Sequence, residues 1–162
     1  MNTIEENNIK FDFYMEQAIK EAKKADQSDD IPIGCVIVHK KRIIARAHNQ
    51  VELLKDATAH AEMIAITQAE SYLNDWRLND AVLFVTKEPC PMCAGAILQS
   101  RIGTVVYGVS APRDGAAGSV INLLNSTALG SSVECIGEVK EKKCRDLLQE
   151  FFKRIRKKSK EL

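Results

Sequence analysis

At 162 residues, 45% hydrophobic and 28% charged, the chain has the length and composition of one soluble globular domain, which excludes a disordered or fibrous class. The balance of 23 basic against 22 acidic residues leaves a net charge of +1, so global charge does not announce a nucleic-acid partner. No apolar run approaches the roughly 20 residues of a membrane span, and the polar, acidic first ten residues lack the apolar core of a signal peptide, so a cytoplasmic location with no membrane partner is expected.

Residues 13–25 place Tyr14, Met15, Ala18, Ile19, Ala22 and Ala25 at three- and four-residue steps, the stripe of an amphipathic helix that needs a sheet to cover. Asp29-Asp30-Ile31-Pro32 breaks it. The β-branched runs 33–39 and 42–47, separated by Lys40-Lys41, predict a hairpin whose turn lacks the usual glycine or asparagine. A helix is expected over 60–72, where Met63, Ile64, Ile66 and Ala69 keep helical spacing and Thr58 stands where a cap would. Residues 81–86 form a buried-type strand and 90–99 a helix, with Pro89 suited to its first turn and Ala94, Ala96, Ile97 and Leu98 favouring propagation. A strand over 102–107, loop chemistry over 111–119 and a weaker strand over 132–136 follow. The last element, residues 138–160, is a long helix with Cys144, Leu147, Leu148, Phe151, Phe152 and Ile155 on one stripe, ending in Lys153-Arg154-Ile155-Arg156-Lys157-Lys158-Ser159-Lys160. Strands separated by helices, with no repeat or linker, predict a single domain over 1–162 with an α/β layered fold in which helical crossovers join parallel strands.

Five cysteines are an odd number in a chain with no export signal, which favours reduced thiols over a disulfide framework. Cys35, Cys135 and Cys144 have no metal-ligand spacing to a histidine and read as small packing residues. The other two belong to Pro89-Cys90-Pro91-Met92-Cys93, which follows His60-Ala61-Glu62 at one strand's remove. One imidazole and two thiolates suit zinc and leave a fourth position for water, whose proton a nearby carboxylate can move. Cys90 and Cys93 are three apart at a helix start, so both sulfurs share one side of the first turn, where the helix dipole favours thiolate. Residues two apart do not share a helix face, so His60 and Glu62 reach one pocket only if His60 lies at the very start of its helix.

Taken singly, these residues have plainer readings. A lone Cys-x-x-Cys fits a structural zinc knuckle or a redox pair, a lone histidine fits a core or surface position, and Glu62 fits a helix-start acid. The chain has no second Cys-x-x-Cys, no His-x-x-x-His and no thioredoxin-like context. The conjunction points to a hydrolytic zinc site, and His-x-Glu with a downstream Pro-Cys-x-x-Cys is the signature of zinc deaminases acting on nucleobases.

Three segments extend the pattern: Asp56-Ala57-Thr58-Ala59-His60-Ala61-Glu62, Glu88-Pro89-Cys90-Pro91-Met92-Cys93-Ala94-Gly95-Ala96 and Gly115-Ala116-Ala117-Gly118-Ser119. Together they resemble the bacterial tRNA-specific adenosine deaminases, well over residues 31–124 and loosely on both flanks. The resemblance implies a cytidine-deaminase-like three-layer α/β/α fold with a five-stranded mixed sheet. It implies one zinc ion per subunit, a homodimer, and a tRNA anticodon stem-loop whose wobble adenosine becomes inosine. His60, Cys90 and Cys93 would hold the zinc, while Glu62 moves protons between water, the adenine ring nitrogen and the departing amine as hydroxide attacks C6. By the same resemblance Asn49 holds the flipped nucleoside, the backbone at Ala59 and Pro89 lines the base pocket, and Phe152, Lys153, Arg154 and Arg156 lie against the anticodon loop.

The residues themselves leave alternatives open. Asn49 also fits a turn, His48 a structural role, Phe151 and Phe152 the apolar stripe of their helix, and the cationic block a solvated helix end complementing the dipole. Two positions depart from the family's pattern: Ala57 replaces a proline, and Ala111 an aspartate that contacts RNA, a role left to Arg113 or Asp114. The same zinc motif also serves deaminases of free guanine or cytosine. A catalytically silent, zinc-stabilised RNA-binding subunit is the third reading, and Glu62 argues against it, because a purely structural zinc gains nothing from a proton shuttle.

Overall fold

A computed structural model describes residues 3–161, so Met1, Asn2 and Leu162, the outer ends of the expected domain, lie outside the described residues. Five strands, β1 (Gly34–His39), β2 (Arg42–His48), β3 (Ala81–Lys87), β4 (Thr104–Val109) and β5 (Glu134–Ile136), form one sheet in the order β2-β1-β3-β4-β5. β1 runs antiparallel to both neighbours, whereas β3, β4 and β5 are parallel. Five helices accompany them: α1 (Thr3–Gln27), α2 (Val51–Leu54), α3 (Ala61–Leu73), α4 (Pro91–Gln99) and α5 (Glu141–Lys160). None of the described helices is long and apolar enough to cross a membrane.

Strand periodicity sorts the core into two layers. Cys35 and Ile37 of β1 and Leu83 and Val85 of β3 face α3 and α4, packing with Ala61, Ala65, Ala94 and Ile97. Their neighbours Val36, Val38 and Phe84 face α1 and α5, packing with Met15, Ala18, Ile19 and Cys144. Helices on both faces of a mixed five-stranded sheet make the three-layer α/β/α fold that the resemblance implied. The stripe on α1 is buried as expected, and its alanines serve a close approach: a Cβ on Gly34 would lie 1.9 Å from the Ala18 carbonyl oxygen and 2.4 Å from the Ala22 nitrogen. Only glycine lets helix and strand meet there.

Several boundaries differ from expectation for local reasons. The hairpin turn is made by Lys40 and Lys41 at φ 47° and 65°, a left-handed pair normally given to Asn-Gly, and Ile44 bulges from β2 beside it. Thr58 does not cap α3; its hydroxyl and N–H both bind Asp56, and His60 occupies the cap position. Pro91, not Pro89, takes the first position of α4, which leaves Cys90 outside the helix as its cap residue. β4 begins at Thr104, because the Ile102 N–H still bonds to Ile97 at the end of α4. α5 begins at Glu141, because Glu138 and Lys140 are left-handed at φ 64° and 55°. A helix joins β3 to β4 as expected, but residues 110–133 cross from β4 to the parallel β5 without one. The short α2 was not anticipated at all.

Candidate active site

Two helix starts meet at one edge of the sheet. His60 precedes α3 with extended backbone at φ −74°, ψ 151°, and Cys90 precedes α4 at φ −75°, ψ 172°. Neither side chain caps its helix, so both turn elsewhere. His60 Nδ1 lies 3.6 Å from Cys90 Sγ and 3.5 Å from Cys93 Sγ, and all three ligand atoms fall within 4.8 Å of one another. A tetrahedral ion bonded to nitrogen at about 2.1 Å and to sulfur at about 2.3 Å holds those atoms roughly 3.5 Å apart. The donor set and its spacing therefore fit zinc. Because His60 stands before the helix, Glu62 at its second position shares the pocket despite the two-residue step.

The electrostatics suit a cation. Hydrogen bonding from Cys93, aided by His60, overrides burial and pulls the Cys90 thiol down to about 4, so a thiolate stands ready at neutral pH. The bond to Cys90 and burial push the Cys93 thiol up, and the Cys90 sulfur in turn raises His60. Glu62 is 4% exposed, and burial drives its carboxyl above the usual carboxylate range. Its Oε2 has no hydrogen-bond partner among the described residues.

A cavity of about 450 Å³ opens at His60, lined also by Asn49, Val51, Glu52, Phe151 and Ile155. Asn49 is buried, and its Oδ1 accepts the Ala61 N–H at 2.9 Å, doing for the start of α3 what a cap would. With its oxygen engaged, the amide has two N–H donors left to offer a ligand. Ala59 and Pro89 do not line this cavity; their carbonyls accept the N–H groups of Gln50 at 3.0 Å and Ala116 at 2.8 Å.

A second concavity, about 500 Å³, lies between residues 109–114 and α5, walled by Lys87, Arg113, Asp114, Leu148, Phe152 and Arg156. Two adjacent rows of α5 thus serve two compartments, Phe151 and Ile155 the cavity, Phe152 and Arg156 the groove. The four expected RNA-binding positions separate accordingly. Phe152, 41% exposed, and Arg156 face the groove, and Lys153 is exposed. Arg154 instead pairs with Asp26 at 2.7 Å and Asp29 at 3.6 Å, beneath which Phe151 is buried in the helix stripe. Ala111 is buried, Arg113 lines the groove and Asp114 pairs with Lys87 at 2.9 Å. His48 bonds to Glu21 at 3.2 Å, in keeping with a structural role. Cys35 and Cys144 are buried, and Cys135 is only half-buried. Sequence reasoning missed the role of Glu88, a buried carboxylate whose partners are Ala111 and, in the small-residue run 115–119, Ala117 and Ser119; that run's lack of bulk was the available signal.

Comparison with known proteins agrees with this geometry. The chain matches the MafB19-like deaminase family over residues 9–156. It is 46% identical over 149 residues to the tRNA-specific adenosine deaminase of Bacillus subtilis (strain 168), an alignment covering 92% of each chain. A solved structure described under A-to-I editing by tRNA:A34 deaminases at the wobble position superposes with a TM-score of 0.81 and 38% identity, over 84% of this chain and 99% of that one. The guanine deaminase of Bacillus subtilis superposes with a TM-score of 0.58 and 35% identity, over 68% of this chain and 66% of that one. The chain belongs to the MafB19-like deaminases and, among them, to the family of the tRNA-specific adenosine deaminases.

Proposed function

We propose that the protein is a zinc-dependent hydrolase that converts adenosine to inosine at the wobble position of a tRNA anticodon, with one zinc per subunit, acting as a cytoplasmic homodimer. The observation that carries the chemistry is the unpartnered Glu62 Oε2, buried beside His60, Cys90 and Cys93. A buried carboxylate oxygen left without a partner is costly unless it handles protons. Held by these three side chains, zinc would supply a water with its pKa lowered towards about 7. Glu62 would accept one proton from the attacking water and give it to the adenine ring nitrogen as C6 is attacked, then take the second proton from the newly added hydroxyl and pass it to the amine, which leaves as ammonia. Its raised affinity for protons matches both steps. Asn49 donates its free amide hydrogens to the flipped nucleoside in the cavity.

The choice of RNA over a free base rests on the groove. Phe152, Arg113 and Arg156 offer a stacking face and two cations outside the base cavity, Lys87 being paired with Asp114, and these suit the nucleotides flanking a target in a single strand and have no use for guanine or cytosine alone. The close match to named tRNA deaminases supports the same choice. The test is incubation with an anticodon stem-loop bearing adenosine at the wobble position and, separately, with guanine and with cytosine. Inosine should form in the stem-loop; ammonia from a free base alone would replace this function with the rival one. Glu62→Ala should keep stoichiometric zinc and lose turnover by about 10²- to 10⁴-fold.

A further inference from the structure

Glu88 ends β3's extension immediately before the metal-ligand segment, and its side chain takes no part in the chemistry above. It is 2% exposed. Its carboxylate is the hub of the segment that follows β4: Oε2 accepts the Ala111 N–H at 2.9 Å and the Ser119 hydroxyl, and Oε1 accepts the N–H groups of Ala117 and Ser119, both at 3.0 Å. Gly115 lies over the same group. A Cβ there would come within 2.5 Å of Cδ and Oε2 and 2.6 Å of Oε1. Gly115 is not among the glycines with positive φ, so space and not backbone conformation demands glycine at this position. The Ala116 N–H adds a bond to the Pro89 carbonyl, tying the same loop to the residue between Glu88 and Cys90.

These bonds span residues 111 to 119, and the loop so closed supplies Ala111, Pro112, Arg113 and Asp114 to one wall of the groove opposite Phe152 and Arg156. We infer that Glu88 is a positioning residue for substrate recognition, fixing the 111–119 loop against the metal-ligand segment so that the groove stands at a set width when an RNA strand enters. This rests on the RNA reading proposed above. The role requires a carboxylate, because all four partners donate hydrogens and an acceptor-only group satisfies them. An amide of the same size would turn one oxygen into a donor facing donors.

The test is steady-state deamination of the adenosine stem-loop by the zinc-loaded full chain. Glu88→Gln should raise KM about tenfold, as loss of hydrogen bonds to one oxygen implies, with kcat within about threefold and zinc stoichiometry unchanged. Gly115→Ala should raise KM in the same direction. Combined with Glu88→Ala, which clears the space its Cβ needs, it should have less effect than the sum of the two single changes. A Glu88→Gln enzyme with wild-type KM, or one that loses zinc and kcat at unchanged KM, would overturn the assignment. Should Glu88→Gln fail to fold, Ser119→Ala decides: it removes one bond without touching β3, and a KM unchanged within error sinks the idea. A wild-type enzyme inert on the stem-loop refutes the RNA reading before any variant is compared, and this role falls with it.

Discussion

The helix starts that carry His60, Cys90 and Cys93 and the helix end that carries Arg154 and Arg156 treat reactive and charged side chains in opposite ways. At the starts of α3 and α4 the side chains are half-buried or buried and face one another, His60 and Cys90 placed by backbone that is not yet helical and Cys93 by the first turn of α4. Along α5 the cations are largely exposed, and what separates them is whether the fold already occupies them. Arg154 and Lys158 are held by Asp26 and Asp29, whereas Arg156 stands at a groove of about 500 Å³. The contrast teaches that a cluster built for chemistry is recognised by geometry, while a run of charge becomes informative only after its internal partners have been subtracted.

The largest effect expected is at the buried cluster. Cys93→Ala should abolish zinc binding and activity together and lower Tm by about 5 °C or more, since ligand binding is folding free energy in such sites. Metal analysis and a thermal melt check it, and stoichiometric zinc in the variant would break the ligand assignment. Next comes Asn49, which holds the start of α3 and, in the function proposed above, the substrate. Asn49→Ala should cost about 1 kcal/mol of stability and about a hundredfold in kcat/KM, whereas Asn49→Asp, which keeps the acceptor for Ala61, should retain stability and still lose activity. Equal losses in the two variants would show that Asn49 only caps α3.

The two arginines then test the other half of the contrast. Arg156→Gln should raise KM for the stem-loop about five- to tenfold and reduce the slope of log affinity against log salt by about 0.7. Arg154→Gln should leave KM within about twofold and lower stability only slightly, as expected for an exposed ion pair. If Arg154→Gln affected binding as strongly as Arg156→Gln, the division between engaged and available cations would fail. The smallest effect lies far from both regions. Replacing Lys40-Lys41 by Asn-Gly should stabilise the hairpin by about 1 kcal/mol without changing activity, read by denaturant unfolding.

Most of the fold was legible because its signals are periodic. The stripe on α1 and the buried-type strand at 81–86 are buried as expected, and on the α5 stripe Cys144 and Phe151 are buried while Phe152 is left 41% exposed. The metal ligands were legible because zinc demands a nitrogen and two sulfurs at fixed spacing. What sequence hid was set by tertiary context. Thr58 has the right chemistry for a cap, but Asn49 reaches across from the end of β2 to the first N–H of α3. Lys40 and Lys41 accept left-handed backbone because the paired strands on either side hold them there. Glu88 stands in a recognised segment, but its role gave no signal, since its partners, three main-chain N–H groups and the Ser119 hydroxyl, are more than twenty positions away. Of the four positions that family resemblance placed against RNA, only geometry could separate Arg154 from Arg156.

The paired rows of α5 have a further consequence. Phe151 and Ile155 wall the cavity at His60 while Phe152 and Arg156, one step along, wall the neighbouring groove, so a single rod serves as the partition between two rooms. Inserting one residue ahead of Phe151 would turn that rod by about 100° and present each room with the other's furnishings. Evolution or design that would reshape the groove alone must therefore work by side-chain exchange at 152 and 156, because any change of helical phase rewrites the cavity at His60 as well.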